Sequence, residues 1–156
     1  MQDLGRHCQG YLLMFILQET PIDPLKMRQV NINPANGAIV TFEGMVRADE
    51  HQGRVVSELL YIADSSAVNT EGEKIIIEAL SKFCISEAVC IQRVGQLKTA
   101  ELAVWIGVWA PHRDEAFKGC RYIIEEIKKR LLIWKKEFFT DGTSTWVHGP
   151  SKVIEP

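Results

Sequence analysis

DEAFKGCRYIIEEIKKRL, running from Asp114 to Leu131, carries the strongest helical periodicity in the chain. Its apolar side chains recur every three or four residues, so they share one face of an α-helix. Asp114 can cap the start of this helix, and the basic residues near Leu131 suit the negative end of its dipole. The apolar positions are Ala116, Phe117, Cys120, Ile123, Ile124, Ile127 and Leu131. The stretch therefore predicts one long amphipathic helix.

Two further helices are predicted upstream of this one. Thr70-x-x-Glu73 is a capping-box pattern that opens an apolar-periodic segment. Asp23 followed by Pro24 suits the start of a short helix over Leu25–Val30, because Asp is a good N-cap and Pro is tolerated in the first turn. The chain therefore has three predicted helices.

Segments of β-branched or alternating apolar residues predict the strands. They are connected by a turn at Asn33–Gly37, a polar loop at Ala48–Gly53, a connection at Gly95–Glu101 and a hairpin turn at Asp141-Gly142. The predicted strands are Phe15–Gln18, Ala38–Arg47, Val55–Ala63, Ala88–Val94, Leu102–Ala110, Ile133–Phe139 and Ser144–Val147. Since helices do not alternate singly with these strands, an α+β domain with a mostly antiparallel sheet is predicted, and a doubly wound parallel sheet is disfavoured.

The composition of the whole chain limits the classes of function. Its 156 residues suffice for one domain with a buried core, and 46% hydrophobic and 24% charged residues are ordinary for a globular protein. A net charge of -2 and a pI near 6.1 argue against a general nucleic-acid binder. Positive charge must therefore be local, which fits a small anionic ligand.

Cysteine usage and hydropathy indicate a cytoplasmic protein. Cys8, Cys84, Cys90 and Cys120 form no CxxC pair and have no zinc-type spacing. Cys84, Cys90 and Cys120 lie in apolar segments, where buried, reduced thiols are expected. The longest apolar run, Tyr11–Leu17, is about a third of a membrane span. We expect no membrane segment and a reducing compartment.

Domain boundaries follow from where the patterned sequence begins and ends. The sequence that begins at Met14 shows clearer secondary-structure patterning than the sequence that begins at Met1. We expect residues 1–13 to be a disordered N-terminal extension, residues 14–150 a single domain and residues 151–156 a short tail.

A basic stretch overlaps the end of the long helix. KKRLLIWKKE, Lys128–Glu137, places five cations in nine residues around an apolar insert. The helix dipole accounts for the first three cations, but not for Lys135 and Lys136 on the next strand. Alternation puts these two lysines on opposite faces, each beside an apolar neighbour. In one interpretation, one of these two lysines is partly desolvated and has a lowered pKa, which suits a base or nucleophile. In the other, both are ordinary solvated lysines.

Two more cationic positions lie at strand ends. His112 and Arg113 stand where a strand meets a helix start, a place that favours anions, and Arg binds phosphate bidentately while His transfers protons near neutral pH. The alternative is that Arg113 pairs with a carboxylate and His112 packs against Trp109. Arg47 also follows a strand, either as an anion contact or as an exposed strand-end residue.

The remaining histidines and the common motifs add little. His7, His51 and His148 have no recognisable partner, and no nucleophile elbow, phosphate loop, dinucleotide fingerprint or metal motif occurs. The residues alone predict an α+β domain that binds a phosphorylated or carboxylated small molecule, with no metal and no cofactor.

Four segments together resemble a known family. They are GAIVTFEGMVR at Gly37–Arg47, PHRDEAF at Pro111–Phe117, IKKRLLIWKKE at Ile127–Glu137 and DGTSTWV at Asp141–Val147. Their order and spacing resemble the large, catalytic subunit of molybdopterin synthase. The most specific part is a His-Arg pair followed by a helix that ends in Lys, with WKKE seven residues on.

This resemblance implies an α/β hammerhead fold and a sulfurtransferase. In the family, a dimer of large subunits carries a small ubiquitin-like sulfur-carrier subunit at each end. The C-terminal Gly-Gly thiocarboxylate of the small subunit enters the large subunit, and two sulfur transfers convert cyclic pyranopterin monophosphate into molybdopterin. The expected partners are therefore the small subunit, a second copy of this chain and the pterin, with no nucleic acid and no membrane.

The resemblance also implies roles for individual residues of this chain. Lys128 and Lys135 would be catalytic and would approach the thiocarboxylate and the pterin. The chemistry asks for acid–base help and for stabilisation of an oxyanion as the acyl–sulfur bond breaks. The implied substrate-binding residues are Arg47, His112, Arg113 and Phe42.

The chain departs from the family pattern at three places. Leu132 stands where Pro is usual, Gln92 stands where His is common, and Tyr61–Ala67 matches poorly. The departures at Tyr61–Ala67 and Leu132 motivate an alternative function, a noncatalytic phosphate-ligand binding module of the same fold. Pterin binding without sulfur transfer would distinguish that module from the enzyme.

Overall fold

The computed structural model describes residues 13–29 and 33–147, which form three helices and nine strands. No helix in this part of the chain is long and apolar enough to cross a membrane. In chain order the elements are β1 (Leu13–Gln18), α1 (Pro24–Arg28), β2 (Ala38–Met45), β3 (Glu50–His51), β4 (Arg54–Ala63), α2 (Ser65–Lys82), β5 (Glu87–Arg93), β6 (Gly95–Lys98), β7 (Leu102–Ala110), α3 (Arg113–Arg130), β8 (Ile133–Phe139) and β9 (Ser144–Val147).

The strands form two sheets. The first has the order β1-β5-β7-β2, so β2 is an edge strand, and the second has the order β3-β4-β8-β9 with β6 also paired to β4. Among the strands of the described residues, only the pairing of β1 with β5 is parallel. The predicted α+β class with mostly antiparallel sheets and three helices is therefore confirmed.

The main core lies between the first sheet and the two long helices. Ile75 of α2 and Ile123 of α3 are buried against Ile106 of β7. The opposite face of the same sheet is covered around Trp105 and Ile22. Because both faces are covered, every residue of β5 is buried, and α3 is held firmly along the sheet.

The predicted start of α2 is wrong. The helix begins at Ser65, and its N-cap is Asp64, whose carboxylate accepts a hydrogen bond of 2.8 Å from the backbone N–H of Ala67. Thr70 lies inside the helix. Residues 65–69 contain neither Pro nor Gly, so the helix extends back to the first residue with a capping side chain.

The other two helix starts were predicted with mixed success. The N-cap of α1 is Asp23, as expected, although the helix ends at Arg28. The N-cap of α3 is His112, and Asp114 lies in the first turn instead. There its carboxylate still suits the positive end of the helix dipole, and it pairs with Lys118 at 2.6 Å.

Two predicted connections contain short strands. The loop Ala48–Gly53 includes β3, which pairs with the start of β4 around a turn where Gln52 and Gly53 both have positive φ. The connection Gly95–Glu101 includes β6, which pairs with β4. Backbone pairing with a neighbour makes these strands, so apolar periodicity does not reveal them.

The predicted burial of the thiols is confirmed for Cys90 and Cys120 and wrong for Cys84, which is exposed beyond the end of α2. Leu13 begins β1, and the rest of the expected N-terminal extension, together with the expected tail at 151–156, lies outside the described residues. Cys8, His7 and His148 also lie outside them.

An ion-pair network joins α2 to α3. Arg130 donates hydrogen bonds to both carboxylate oxygens of Glu78, at 2.5 and 3.1 Å, and to Glu71 at 2.7 Å. The hydrogen bonds from Arg130, followed by one from Tyr122, lower the pKa of Glu78 to about 2. The network therefore makes part of the helix packing sensitive to acid.

We expect Glu78→Gln to make the free energy of unfolding less sensitive to acid. The depressed pKa means that the Glu78 carboxylate stabilises the fold above its ordinary pKa of about 4.3, and that this stability is lost as the pH falls toward 2. Because the side chain is 36% exposed, the contribution is at most about 1 kcal/mol. Urea unfolding at pH 7 and pH 3 measures it, with Glu73→Gln on the same helix as the control. Equal acid losses in Glu78→Gln and the parent would contradict the prediction.

Candidate active site

The end of α3 and the start of β8 bring Lys128 and Lys135 close together. Burial among protein atoms lowers the pKa of Lys128, and the nearby charge of Lys135 lowers it further. Lys128 is exposed as a whole residue, so its desolvation is partial. A lysine with a lowered pKa more readily becomes the neutral amine, which can accept a proton or attack a carbonyl carbon.

The position of the desolvated lysine differs from the sequence-based expectation. A lowered pKa was expected on the strand, at Lys135 or Lys136, whereas it falls on Lys128 of the preceding helix. The reason is tertiary. Lys128 follows Ile127, which is buried in the main core at the end of α3, and its amine lies near the buried Cys90 of β5.

A buried carboxylate lies beside Lys135. Glu137 is 6% exposed, and its Oε1 lies 3.7 Å from Nζ of Lys135, while its Oε2 lies 3.4 Å from Nε2 of His51. Tyr61 of β4 stands opposite Lys135 in the strand register. Burial, and then the charge of Glu137, raise the pKa of Tyr61. Titratable groups therefore form a row from His51 through Glu137 to the two lysines.

Neither Glu137 nor Tyr61 was singled out from the sequence. A signal for Glu137 was present, because alternate residues of a strand share a face and Glu137 follows Lys135 by two positions. Tyr61 had no such signal. Its place opposite Lys135 depends on the register between β4 and β8, which links residues far apart in the chain.

His112 and Arg113 lie at the other end of α3 from Lys128. At a rise of about 1.5 Å per residue, the Cα atoms of Arg113 and Lys128 are about 22 Å apart. Two extended side chains together do not cover that separation. Both His112 and Arg113 are exposed, beside the first amide groups of α3, which favour anions. One protomer therefore does not bring these residues to the lysines.

Arg47 lies at the same end of the first sheet as Lys128. It follows β2 after Met45, and β2 runs antiparallel to β7, so Arg47 is near the start of β7 while His112 follows its end. Since α3 packs along β7 and runs in the opposite direction, Lys128 at the end of α3 lies near the start of β7, as Arg47 does. The Arg47 side chain is 81% exposed and pairs with Asp49 at 3.1 Å.

Phe42 borders an open, largely apolar groove between β2 and α3. The groove has a volume of about 440 Å³ and is lined by Val40, Thr41, Phe42, Phe117, Cys120, Arg121, Ile124 and Glu125. Phe42 is 37% exposed and Phe117 is 62% exposed. Because β2 is an edge strand, the groove continues into a backbone edge that faces away from the sheet.

The thiols near the site are poor nucleophiles. Burial raises the pKa of Cys90 far above its ordinary value and raises the pKa of Cys120 to about 11. Both are therefore protonated at neutral pH, whereas the thiolate is the reactive form. Within residues 13–29 and 33–147, no group of three or more His, Cys, Asp and Glu side chains is arranged to hold a metal ion.

Known sequences match most of the chain. The family described as MoaE protein matches residues 17–130. The molybdopterin synthase catalytic subunit of Pyrococcus abyssi is 41% identical over 119 residues, which cover 76% of this chain and 79% of that protein.

Solved structures share the fold. Molybdopterin synthase from Staphylococcus aureus superposes with a TM-score of 0.79 at 33% sequence identity, and the match covers 86% of this chain and 96% of that one. A chain of the complex of subunits 1 and 2 of molybdopterin-converting factor from Helicobacter pylori has a TM-score of 0.69 over 85% of this chain and 88% of that one. At 16% identity, this second likeness concerns the fold alone.

Proposed function

The chain belongs to the MoaE protein family, and we propose that it is the catalytic subunit of a molybdopterin synthase. It is a sulfurtransferase, which moves sulfur from the C-terminal thiocarboxylate of a small ubiquitin-like subunit to cyclic pyranopterin monophosphate. The observation that carries this proposal is that Lys128, whose pKa is lowered, lies near Lys135. A noncatalytic binding module is not favoured, because the matching relatives are catalytic subunits.

The two lysines have different tasks in this proposal. Once the thiocarboxylate sulfur is bonded to the pterin, water attacks the acyl carbon, and the acyl–sulfur bond breaks to leave the small subunit with a carboxylate. Lys128 more readily holds a neutral amine, so it takes up and returns protons in this step. Lys135 forms an ion pair with Glu137, and its positive charge stabilises negative charge on the acyl oxygen. Neither step requires a thiolate of this chain.

The substrate pocket is shared between two copies of the chain. Arg113 and Lys128 of one protomer are about 22 Å apart along α3, so they do not meet in one site. In a two-fold dimer that uses β2 and its groove, the β2 strands and the α3 helices of the two protomers run in opposite directions. It would bring the start of α3 of one protomer to Lys128 and Arg47 of the other. Arg47, His112 and Arg113 then bind the phosphate of the pterin, with Phe42 beside it.

The remaining partner is the small subunit. Its C-terminal tail delivers sulfur to Lys128 and Lys135, so the full assembly is a heterotetramer of two copies of this chain and two small subunits. We place this assembly in the cytoplasm, where free thiols such as Cys90 and Cys120 stay reduced.

We expect Phe117→Glu to convert the dimer into monomers. The substitution places a charge on the exposed side of the groove, where a second copy would cover it. Analytical ultracentrifugation measures the effect, expected as at least about a hundredfold weaker dimerisation. Ile77→Glu is the matched control, because Ile77 is similarly exposed, at 60%, and lies on α2 away from this groove. Dimers of unchanged strength in Phe117→Glu would contradict the proposed interface.

A conversion assay tests the function itself. The chain is mixed with a thiocarboxylated small subunit and cyclic pyranopterin monophosphate, and molybdopterin is followed by the fluorescence of its oxidised derivative. Product formation is the expected result. A folded, dimeric parent that makes no product with a proven small subunit, yet binds the pterin, would overturn the proposal in favour of the binding module.

A further inference from the structure

His51 approaches the candidate active site from a neighbouring strand. Its side chain is 47% exposed, and its ring packs edge-on against Phe139 with the centroids 6.3 Å apart. Its Nε2 lies 3.4 Å from one oxygen of Glu137, and the other oxygen lies 3.7 Å from Nζ of Lys135. Because the Glu137 side chain is only 8% exposed, water screens its charge little, and both Lys135 and His51 lie close enough to interact with it.

We propose that His51 is a positioning residue of the sulfur-transfer site, acting on Lys135 through the buried carboxylate of Glu137. The inference rests on the proposed function, since it takes Lys135 as a group that touches the reacting atoms. Neutral His51 leaves the charge of Glu137 to hold the ammonium of Lys135. A protonated His51 also attracts the Glu137 carboxylate and so weakens its interaction with the Lys135 ammonium. The proton on an exposed ring thereby controls an interaction inside the site.

Other charged groups face the same cluster from the neighbouring elements. Arg54 of β4 pairs with His51 in the strand register and stacks over Phe139, 4.2 Å from the ring centroid. Arg keeps its charge at every pH that the fold survives. Tyr61, with its raised pKa, stays neutral near pH 7. Lys128 of α3 is close enough to respond to Lys135, so a substitution at position 51 is needed to isolate the effect of His51.

The first test measures Lys135 without any enzyme assay. Parent, His51→Gln and Glu50→Gln dimers are trace-labelled with acetic anhydride between pH 5 and pH 8, and mass spectrometry gives the acetylation of Lys135 relative to exposed Lys98. An imidazolium at position 51 favours the neutral amine of Lys135, so the parent ratio should be about threefold higher at pH 5 than at pH 8. The ratio should be constant in His51→Gln. Glu50→Gln, which changes the neighbouring residue on the opposite face of β3, should behave as the parent.

Two labelling results would overturn the inference. One is a parent ratio that does not change with pH, and the other is the same change in His51→Gln as in the parent. Thermal unfolding of each variant shows that the fold is intact, and Gln retains a polar side chain at this half-exposed position.

The second test uses the pH profile of turnover. In the parent, kcat/KM should fall from pH 8 to pH 5, in part because an imidazolium at position 51 releases Lys135 from Glu137. His51→Gln should show a shallower fall toward acid, which leaves only the fall due to protonation of Lys128, whereas Glu50→Gln should match the parent. A merely structural role would lower activity equally at every pH. Turnover with an unchanged acid limb in His51→Gln overturns the positioning role. A parent with the labelling response but no molybdopterin formation overturns the proposed function and leaves the coupling supported.

Discussion

Lys128→Ala is expected to lower the rate of molybdopterin formation about a thousandfold, because general acid–base catalysis by a positioned group contributes in that range. The substitution removes the amine whose pKa is lowered by burial and by Lys135. The loss should fall on kcat, since Arg47, His112 and Arg113, and not Lys128, are the groups proposed to hold the pterin phosphate. Single-turnover formation of the fluorescent product measures it.

Lys129→Ala is the matched control for this prediction. Lys129 is the next residue of α3, it is exposed, and it pairs with Glu126 at 3.3 Å on the surface of the helix. Its removal should change the rate by less than about twofold, because a surface ion pair contributes little. A folded Lys128→Ala variant that retains more than a tenth of the parental rate would contradict the assigned role.

Mixing two inactive variants is expected to restore activity if the pocket is shared between protomers. Arg113→Ala alone should lower kcat/KM about a hundredfold, because a charge-assisted contact to the phosphate is lost. A heterodimer of Arg113→Ala with Lys128→Ala contains one site with both side chains intact and one site with neither. Random exchange makes half of the dimers mixed, so about a quarter of the parental activity should return. Activity after unfolding and refolding the two variants together measures this recovery.

A mixture of Lys128→Ala with Lys135→Ala controls for this result. Both lysines come from the same protomer, so every site of the mixed dimer carries one defect and no activity should return. If the Arg113→Ala mixture also shows no recovery, while ultracentrifugation detects mixed dimers, the shared pocket is wrong.

Local patterns in the sequence predicted much of the fold. The apolar periodicity from Asp114 to Leu131 corresponds to α3, and Asp23 caps α1 as its residue type indicates. Each of these features depends on side chains within about four positions of one another. The start of α2 was missed because Thr70 and Asp64 are both acceptable caps, and the choice falls to the residue at which the helix can first be capped.

The sequence by itself determined the family, the α+β class and the two lysines on which the chemistry is proposed to depend. These conclusions rest on ordered motifs and short-range patterns, which are visible along one chain. Only the tertiary structure decided that the lowered pKa belongs to Lys128 and that Glu137 is buried between Lys135 and His51. It also decided that Arg113 and Lys128 lie at opposite ends of one helix. Burial, strand register and the direction of a helix across a sheet depend on contacts between residues distant in sequence, and no local pattern records them.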